Sequence, residues 1–388
     1  MSGFEGADHR NRFRTGLDMI GATGHSDRLD QDLRRCARMG LRTVRESAGW
    51  RLSEIRPGCF DLTRPLAIAA AARRRGVQVL WSLMHYGLPD DLHPFHPDFM
   101  PRFVEFAVAV AKGLKPCVDD GHPAVYTPIN EIGFLAWAWA ETDDFGGRSP
   151  LRPCAASSTL ESGYVLKLKL VEAALAACKA IREIDPLARF MHVEPVVHVV
   201  PPRGLPEWDP LAREVASYQW QVWDLLAGLD EPRLGGDPQW LDILGIDHYH
   251  NGQWEVGTER RLHWDLQDPR RKSFASLALA TWERYRRPMI VAETSHVGLY
   301  RERWFEGALV RGNGRGGGAP EAHGRAARRP VPLPHRRPAR LERARALAQQ
   351  WLVGRGTTRL HPRPRRRAGT AALPPLRDGS APLAATPA

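Results

Sequence analysis

The sequence predicts an α/β fold, a TIM (β/α)8 barrel whose eighth strand and last helix it does not clearly supply. Three observations lead there. Short apolar runs alternate with helical segments from residue 15 to residue 293, the pattern of parallel strands with helices outside. The polar residues gather at the C-terminal ends of those runs, at Arg45, His85, Glu131, Glu194, Tyr249 and Glu293, the face where a closed barrel keeps its chemistry. No G-x-G-x-x-G follows any run, so the competing doubly wound dinucleotide fold has no motif behind it.

Taken in order, the first strand is expected at Gly16 to Gly21. A helix capped by Ser26 follows, with Leu29, Leu33, Cys36 and Met39 on one stripe and Gly40 as its stop. Leu41 to Arg45 is the second strand, Pro65 to Arg75 an Ala-rich helix closed by Gly76, and Val77 to Met84 the third strand. Helices at 98–114, 158–184, 210–228 and 273–286 then lead to strands at 124–129, 189–193, 241–246 and 288–292. That makes seven strands joined by six helices. Glu302 to Val310 opens a further helix.

Beyond it the composition changes. From Arg311 onward there is no isoleucine, phenylalanine, tyrosine or lysine, while Arg, Pro, Gly and Ala dominate. The domain reading is therefore a barrel over 1–310 lacking a clear eighth strand, and an Arg/Pro/Gly/Ala-rich tail over 311–388. These four residue types have G/C-rich codons, and the barrel's periodicity ends where they take over, which points to a disordered extension or to translation out of frame.

The tail also explains the charge. The whole chain carries +11, but residues 301–388 hold 19 arginines, no lysine and five acidic residues. Their surplus exceeds the total, so residues 1–300 are slightly acidic. The tail lacks the interleaved aromatics of a nucleic-acid surface, and no nucleic-acid partner is expected. Five cysteines, Cys36, Cys59, Cys117, Cys154 and Cys178, form no C-x-x-C pair, which argues for reduced, mostly buried thiols over a zinc site or disulfide framework. The polar start, MSGFEGADHRNRFR, and the lack of a membrane-length apolar run make a cytoplasmic location the expectation, with no membrane partner. Oligomeric state is not legible.

Two segments carry the chemistry. Thr127-Pro128-Ile129-Asn130-Glu131 and Met289-Ile290-Val291-Ala292-Glu293-Thr294 are strand-like runs that end in a glutamate, 162 residues apart. Packing explains a carboxylate at the tip of a buried strand poorly. Two of them on one barrel face can supply the paired carboxylates of glycoside hydrolysis.

Around these residues the chain resembles the retaining barrel glycosidases, and most closely glycoside hydrolase family 1, the β-glucosidase type. Thr127 to Glu131 looks like the family's T-x-N-E segment after strand four, and Ile290-Val291-Ala292-Glu293 like its nucleophile strand. Arg45-Glu46-Ser47-Ala48-Gly49-Trp50 is similar to R-x-S-x-x-W, His85-Tyr86-Gly87-Leu88-Pro89 to H-W-x-L-P, and Asp242 to Tyr249 to D-x-x-G-x-N-Y-Y. Five such segments in the right order span residues 41–294. The resemblance implies a retaining β-glycoside hydrolase acting on a small carbohydrate or glycoside. There are departures: the strand-one Q-x-E-G clamp is absent from Gly16 to His25, Asp247 stands where the family has asparagine, and the strand-eight Trp and Glu cannot be located.

The chemistry assigns roles. Glycoside cleavage needs a proton donor for the leaving oxygen and an anion to meet the oxocarbenium-like carbon, and no cofactor. Glu131 is expected as acid/base, its pKa raised by the nearby anion and by Phe134, Trp137 and Trp139; Glu293 is expected as nucleophile, kept ionised by Arg45 and Tyr249. Asn130 would donate to the substrate 2-hydroxyl and His85 would bind another hydroxyl. Trp137 or Trp139 would stack on a sugar or wall the leaving-group site, although packing is the commoner role for both. Arg45 also reads as a salt-bridge partner of Glu46 or of a helix carboxylate, and Glu194 as a rival carboxylate. Two other classes stay open: a non-catalytic carbohydrate-binding barrel, and a metal-dependent hydrolase built on His85, His192, His198, His248, His250, Asp247 and Glu194.

Overall fold

The computed structural model describes residues 1–11, 13, 15–118, 123–141, 159–296 and 300–304, without the side chains of 141 and 159–162. The expected tail over 311–388, the 1–310 boundary and the missing eighth strand all fall outside the described residues. Of the helix expected at 302–310, Arg301–Trp304 is described and forms one turn.

Seven parallel strands form one nearly closed barrel: β1 (Ser2–Gly3), β2 (Thr43–Ser47), β3 (Gln78–Met84), β4 (Val125–Ile129), β5 (Arg189–Pro195), β6 (Ile243–Asp247) and β7 (Met289–Glu293), each beside the next in chain order. Among the described residues β1 pairs only with β2, and β7 only with β6. Helices α1 (Met19–Ala22), α2 (His25–Arg38), α3 (Thr63–Arg74), α4 (Phe99–Leu114), α5 (Ile132–Glu141), α6 (Thr159–Ile184), α7 (Asp209–Ser217), α8 (Gln221–Leu226) and α9 (Phe274–Tyr285) lie between them. No described helix is long and apolar enough to cross a membrane.

Alternation along each strand divides the core into two layers. One set, Leu80, Val125, Met191, Val193 and Ile243, packs together with Ile290 and Ala292 inside the barrel. The other set, including Val44, Val79, Trp81, Tyr126, Phe190 and Leu244, packs against helix residues such as Leu33, Ile68, Phe103, Phe106, Leu170 and Ile181. Each fully buried side chain of this size contributes about 1.5–3 kcal/mol of transfer free energy. At Gly245 the barrel closes too tightly for a side chain: a Cβ there would sit 2.5 Å from Val193 Cγ2 and 3.2 Å from Ala292 Cβ.

Strands two to seven fall within a few residues of their expected places. The first does not. Gly16 to Gly21 forms no sheet strand; Asp18 accepts a hydrogen bond from Gly21 N–H and starts the α1 turn there. The barrel begins instead at Ser2–Gly3, extended by a bond from Phe4 N–H to the Arg45 carbonyl at 3.0 Å. The helix expected at 210–228 is broken by a tight turn at Tyr218–Trp220, where the Gln219 amide accepts from Val197 N–H and donates to the Ala216 carbonyl. Helix α5 was not expected, because its sequence, IGFLAWAWAE, is apolar on nearly every side and carries no amphipathic signal. The four described cysteines are free, Cys36 and Cys178 buried and Cys59 and Cys117 half-buried; Cys154 lies outside the described residues.

Candidate active site

The ends of β2, β3, β4, β6 and β7 converge on one buried cluster, with the carboxylates at its centre. Glu293 closes β7 and Glu131 follows β4. One oxygen each of Glu131, Asp247 and Glu293 lies within 4.8 Å of the others. The backbone that delivers the first of them is unusual, since Glu131 has φ +43° and Tyr86, after β3, has φ +71°. Left-handed backbone at non-glycine residues costs on the order of 1–3 kcal/mol each and persists where the surroundings over-determine it. Here Glu131 N–H is held by the Val193 carbonyl at 3.1 Å, and its own carbonyl accepts from Leu135 N–H at 2.8 Å.

Around Glu293 the environment is ionic. Arg45, buried on β2, donates one guanidinium nitrogen to Glu293 Oε1 and another to Asn130 Oδ1. Tyr249 donates its hydroxyl to Glu293 Oε2 at 2.6 Å. Burial alone would raise this carboxyl, but the Arg45 charge above all, with the Tyr249 hydrogen bond, takes it below the ordinary glutamate range.

Glu131 is the opposite case. Burial first, and then the Glu293 anion, push its pKa up to about 7, against the hydrogen bond from Tyr86 and the more distant Arg45. Phe134 continues the apolar wall, its ring 5.9 Å from Tyr86 and 5.8 Å from Trp137.

Asn130 and His85 bridge the two sides. Asn130 Nδ2 lies 3.1 Å from His85 Nε2 and donates to the Tyr86 hydroxyl at 3.0 Å. With Asn130 Oδ1 accepting from Arg45, His85 Nε2 is the acceptor and its proton sits on Nδ1. Burial, with Arg45 nearby and against the pull of Glu293, lowers His85 to about 4, so it is neutral at pH 7. Both amide hydrogens of Asn130 are thus spent inside the protein, and a bond to a substrate hydroxyl requires exchanging one of them.

The remaining expectations separate. Trp137 is 48% exposed, next to Phe134, while Trp139 packs against the core. Arg45 pairs with Glu293 and not with Glu46, which instead bonds His25. Glu194 accepts the Gly133 N–H on both oxygens, at 3.1 and 3.0 Å, and so caps the start of α5 just after Glu131. Burial raises it to about 8, with the Glu131 charge adding to the shift and Lys167 opposing it. The histidines do not assemble: His192 bonds the Trp240 carbonyl, His198 the Arg270 carbonyl, and His248 lies between the rings of Phe274 and Trp304. Among the described residues no group of three metal-ligating side chains includes a histidine. The one such group among the described residues is Glu131, Asp247 and Glu293, and there the Arg45 guanidinium already occupies an oxygen of Glu293.

Two residues join the site in places the sequence did not indicate. Glu5, after β1, is pushed up to about 7 by burial and by Glu293, against the Ala7 N–H and Arg45. Its signal was present: Gly3-Phe4-Glu5-Gly6 carries the E-G half of the clamp that the strand assigned to 16–21 lacks. Asp247 appears in the sequence only as a departure from the family and as a candidate metal ligand, yet it stands fully buried beside the two glutamates.

Among solved structures the chain is similar to a mutant of a hyperthermophilic β-glucosidase that forms a dodecamer in its crystal, at 16% identity over 74% of each chain with a TM-score of 0.56. It is similar also to a β-glycosidase from Pyrococcus horikoshii, at 18% identity over 72% of this chain and 68% of that one with a TM-score of 0.52. A family 1 β-glucosidase from Thermotoga maritima matches at 14% identity over 70% and 67%, with a TM-score of 0.51. No family model and no curated sequence matches the chain. At these identities the likeness is one of fold, and the fold is the expected barrel.

Proposed function

We propose that the chain is a retaining O-glycosyl hydrolase acting on β-glycosides, with Glu131 as acid/base and Glu293 as nucleophile. The observation that carries the reading is a pair of facing carboxyls whose pKa values the site pushes apart, Glu131 up to about 7 and Glu293 below the ordinary range. Divergent pKa values in one site are how one carboxyl is kept as acid and the other as anion. Their closest oxygens are within 4.8 Å, which suits direct attack, since retaining pairs stand about 5–5.5 Å apart and inverting pairs leave room for a water.

In the first step Glu131 gives its proton to the leaving oxygen while Glu293 attacks the anomeric carbon, forming a glycosyl ester. In the second, the Glu131 carboxylate takes a proton from water, which attacks the same carbon and releases Glu293. Arg45 and Tyr249 hold the nucleophile ionised and aimed; Glu5, His85 and Asn130 are the polar groups placed to meet sugar hydroxyls. Trp137, exposed beyond Phe134, is the aromatic face available outside the carboxylates. A small glycoside fits this reading, as does the Thermotoga maritima β-glucosidase structure solved with glucoimidazole, which matches this chain with a TM-score of 0.52. The role needs no cofactor, and a cytoplasmic location suits the reading.

The test is hydrolysis of a panel of aryl β-glycosides by the full chain and by Glu293→Gln. Turnover that the substitution abolishes supports the reading. Sugar binding without turnover in either protein sinks it in favour of a carbohydrate-binding barrel.

A further inference from the structure

Asp247 ends β6, is fully buried, and faces Glu293 across the β6–β7 pairing. Neither of its buried oxygens has an N–H or O–H donor among the described residues. Within 4.8 Å of one of its oxygens lie an oxygen of Glu131 and an oxygen of Glu293. Two carboxylate anions cannot bond to each other; a carboxyl–carboxyl contact needs one proton between them.

The charges around the pair point the same way. Facing it are Glu293 and Arg45, with Tyr86 on Glu131 and Tyr249 on Glu293. Glu194 feels the charges of Glu131 and Lys167, Glu5 feels that of Glu293, and His85 Nε2 lies 3.9 Å from Glu293 Oε1. Five carboxyls therefore share one guanidinium and one ammonium, both drawn from water. All five cannot be ionised together, and like charges this close force one carboxyl to keep its proton. Asp247 is the member with no cation, hydroxyl or backbone N–H of its own.

We propose that Asp247 is a positioning residue: it remains a neutral acid, donates its O–H to Glu131, and so aims that carboxyl and stabilises the carboxylate left when the Glu131 proton passes to the leaving oxygen. This rests on the acid/base role of Glu131. An asparagine here would be a permanent donor. An aspartic acid donates only while protonated, and its ionisation would bring a second negative charge beside Glu131, so this site carries a dependence on pH that an amide would lack. Desolvation and the Glu293 and Glu131 charges all hold Asp247 well above the ordinary carboxyl range.

The experiment combines two readouts on the full chain. Infrared spectroscopy with isotope-labelled aspartate carboxyls reads a protonated side chain at pH 7 whether or not the protein turns over; the band should be present and should lose intensity in Asp247→Asn. The pH profile of kcat/KM should keep its alkaline limb in Asp247→Asn, which retains a donor. In Asp247→Ala the ionised Glu131 loses that donor, so the limb moves up by about one pH unit and kcat falls about tenfold. An unchanged band in Asp247→Asn, or an Ala limb that coincides with the wild type, overturns the proposal. A band that Asp247→Asn removes in a protein that hydrolyses no glycoside supports the protonated pair and sinks the glycosidase reading alone.

Discussion

The two strand ends that carry the glutamates are built differently. β4 is paired on both sides, by β3 and β5, and its residues are buried throughout. Glu131 leaves it through a left-handed turn into an apolar helix, and burial dominates its ionisation. Among the described residues β7 is paired on one side only, and Val291 in its middle is 37% exposed. There burial is again the largest single effect, but the Arg45 charge, with His85 and the hydrogen bonds from Tyr249 and Arg45, together outweigh it and keep Glu293 ionised. The lesson is that two identical side chains take opposite roles because one meets a cation and the other meets hydrocarbon and an anion.

The sharpest way to break that comparison is to delete each carboxyl in turn. Glu293→Ala should lose glycosidase turnover on the order of 10⁴-fold or more. Added azide should restore it with inverted product, because a small anion can enter from the vacated face. Glu131→Ala should lose about 10²–10⁴-fold, least on aryl glycosides whose leaving group needs no proton, and azide there should give retained product. Product stereochemistry read by NMR checks the assignment, and exchanged outcomes would reverse the roles.

Removing the cation tests the ionic end. In the wild type, kcat/KM should fall above about pH 7 as Glu131 ionises and fall at low pH as Glu293 takes up a proton. Arg45→Met removes the charge that keeps Glu293 low, so the acid limb should move up by about 1–3 pH units. It should also destabilise the fold by about 3–5 kcal/mol, since the buried partner is left uncompensated. An acid limb that stays in place, measured on protein shown folded by circular dichroism, would mean that Arg45 does not set the nucleophile.

The smallest effects come from the two tyrosines, one per carboxyl. Tyr249→Phe should shift the acid limb up and Tyr86→Phe the alkaline limb up, each by about 0.5–1 unit, because each hydroxyl stabilises the carboxylate it donates to. If both substitutions move the same limb, the separation of the two environments is wrong.

Much of this was legible in the chain alone, and the reasons lie in particular residues. Strands two to seven are runs of five to seven residues flanked by helices with their own stripes, so local periodicity located them. Glu131 and Glu293 stood out because a carboxylate ending such a run is costly unless it is used. β1 was missed because two residues carry no periodicity, and with it Glu5 went unseen. Helix α5 was missed because it is apolar on nearly all sides, which placed Trp137 and Trp139 in a loop.

The sequence by itself determined the order of strands and helices, the residues at strand ends, and the resemblance those residues carry, because each depends on neighbours a few positions away. Only the tertiary structure decided which charges meet. Arg45 and Glu293 are 248 residues apart, Asp247 and Glu131 come within 4.8 Å from different strands, and Glu194 caps a helix through Gly133, 61 residues earlier. Ionisation depends on desolvation and on charges within a few ångströms, and no local pattern encodes either quantity.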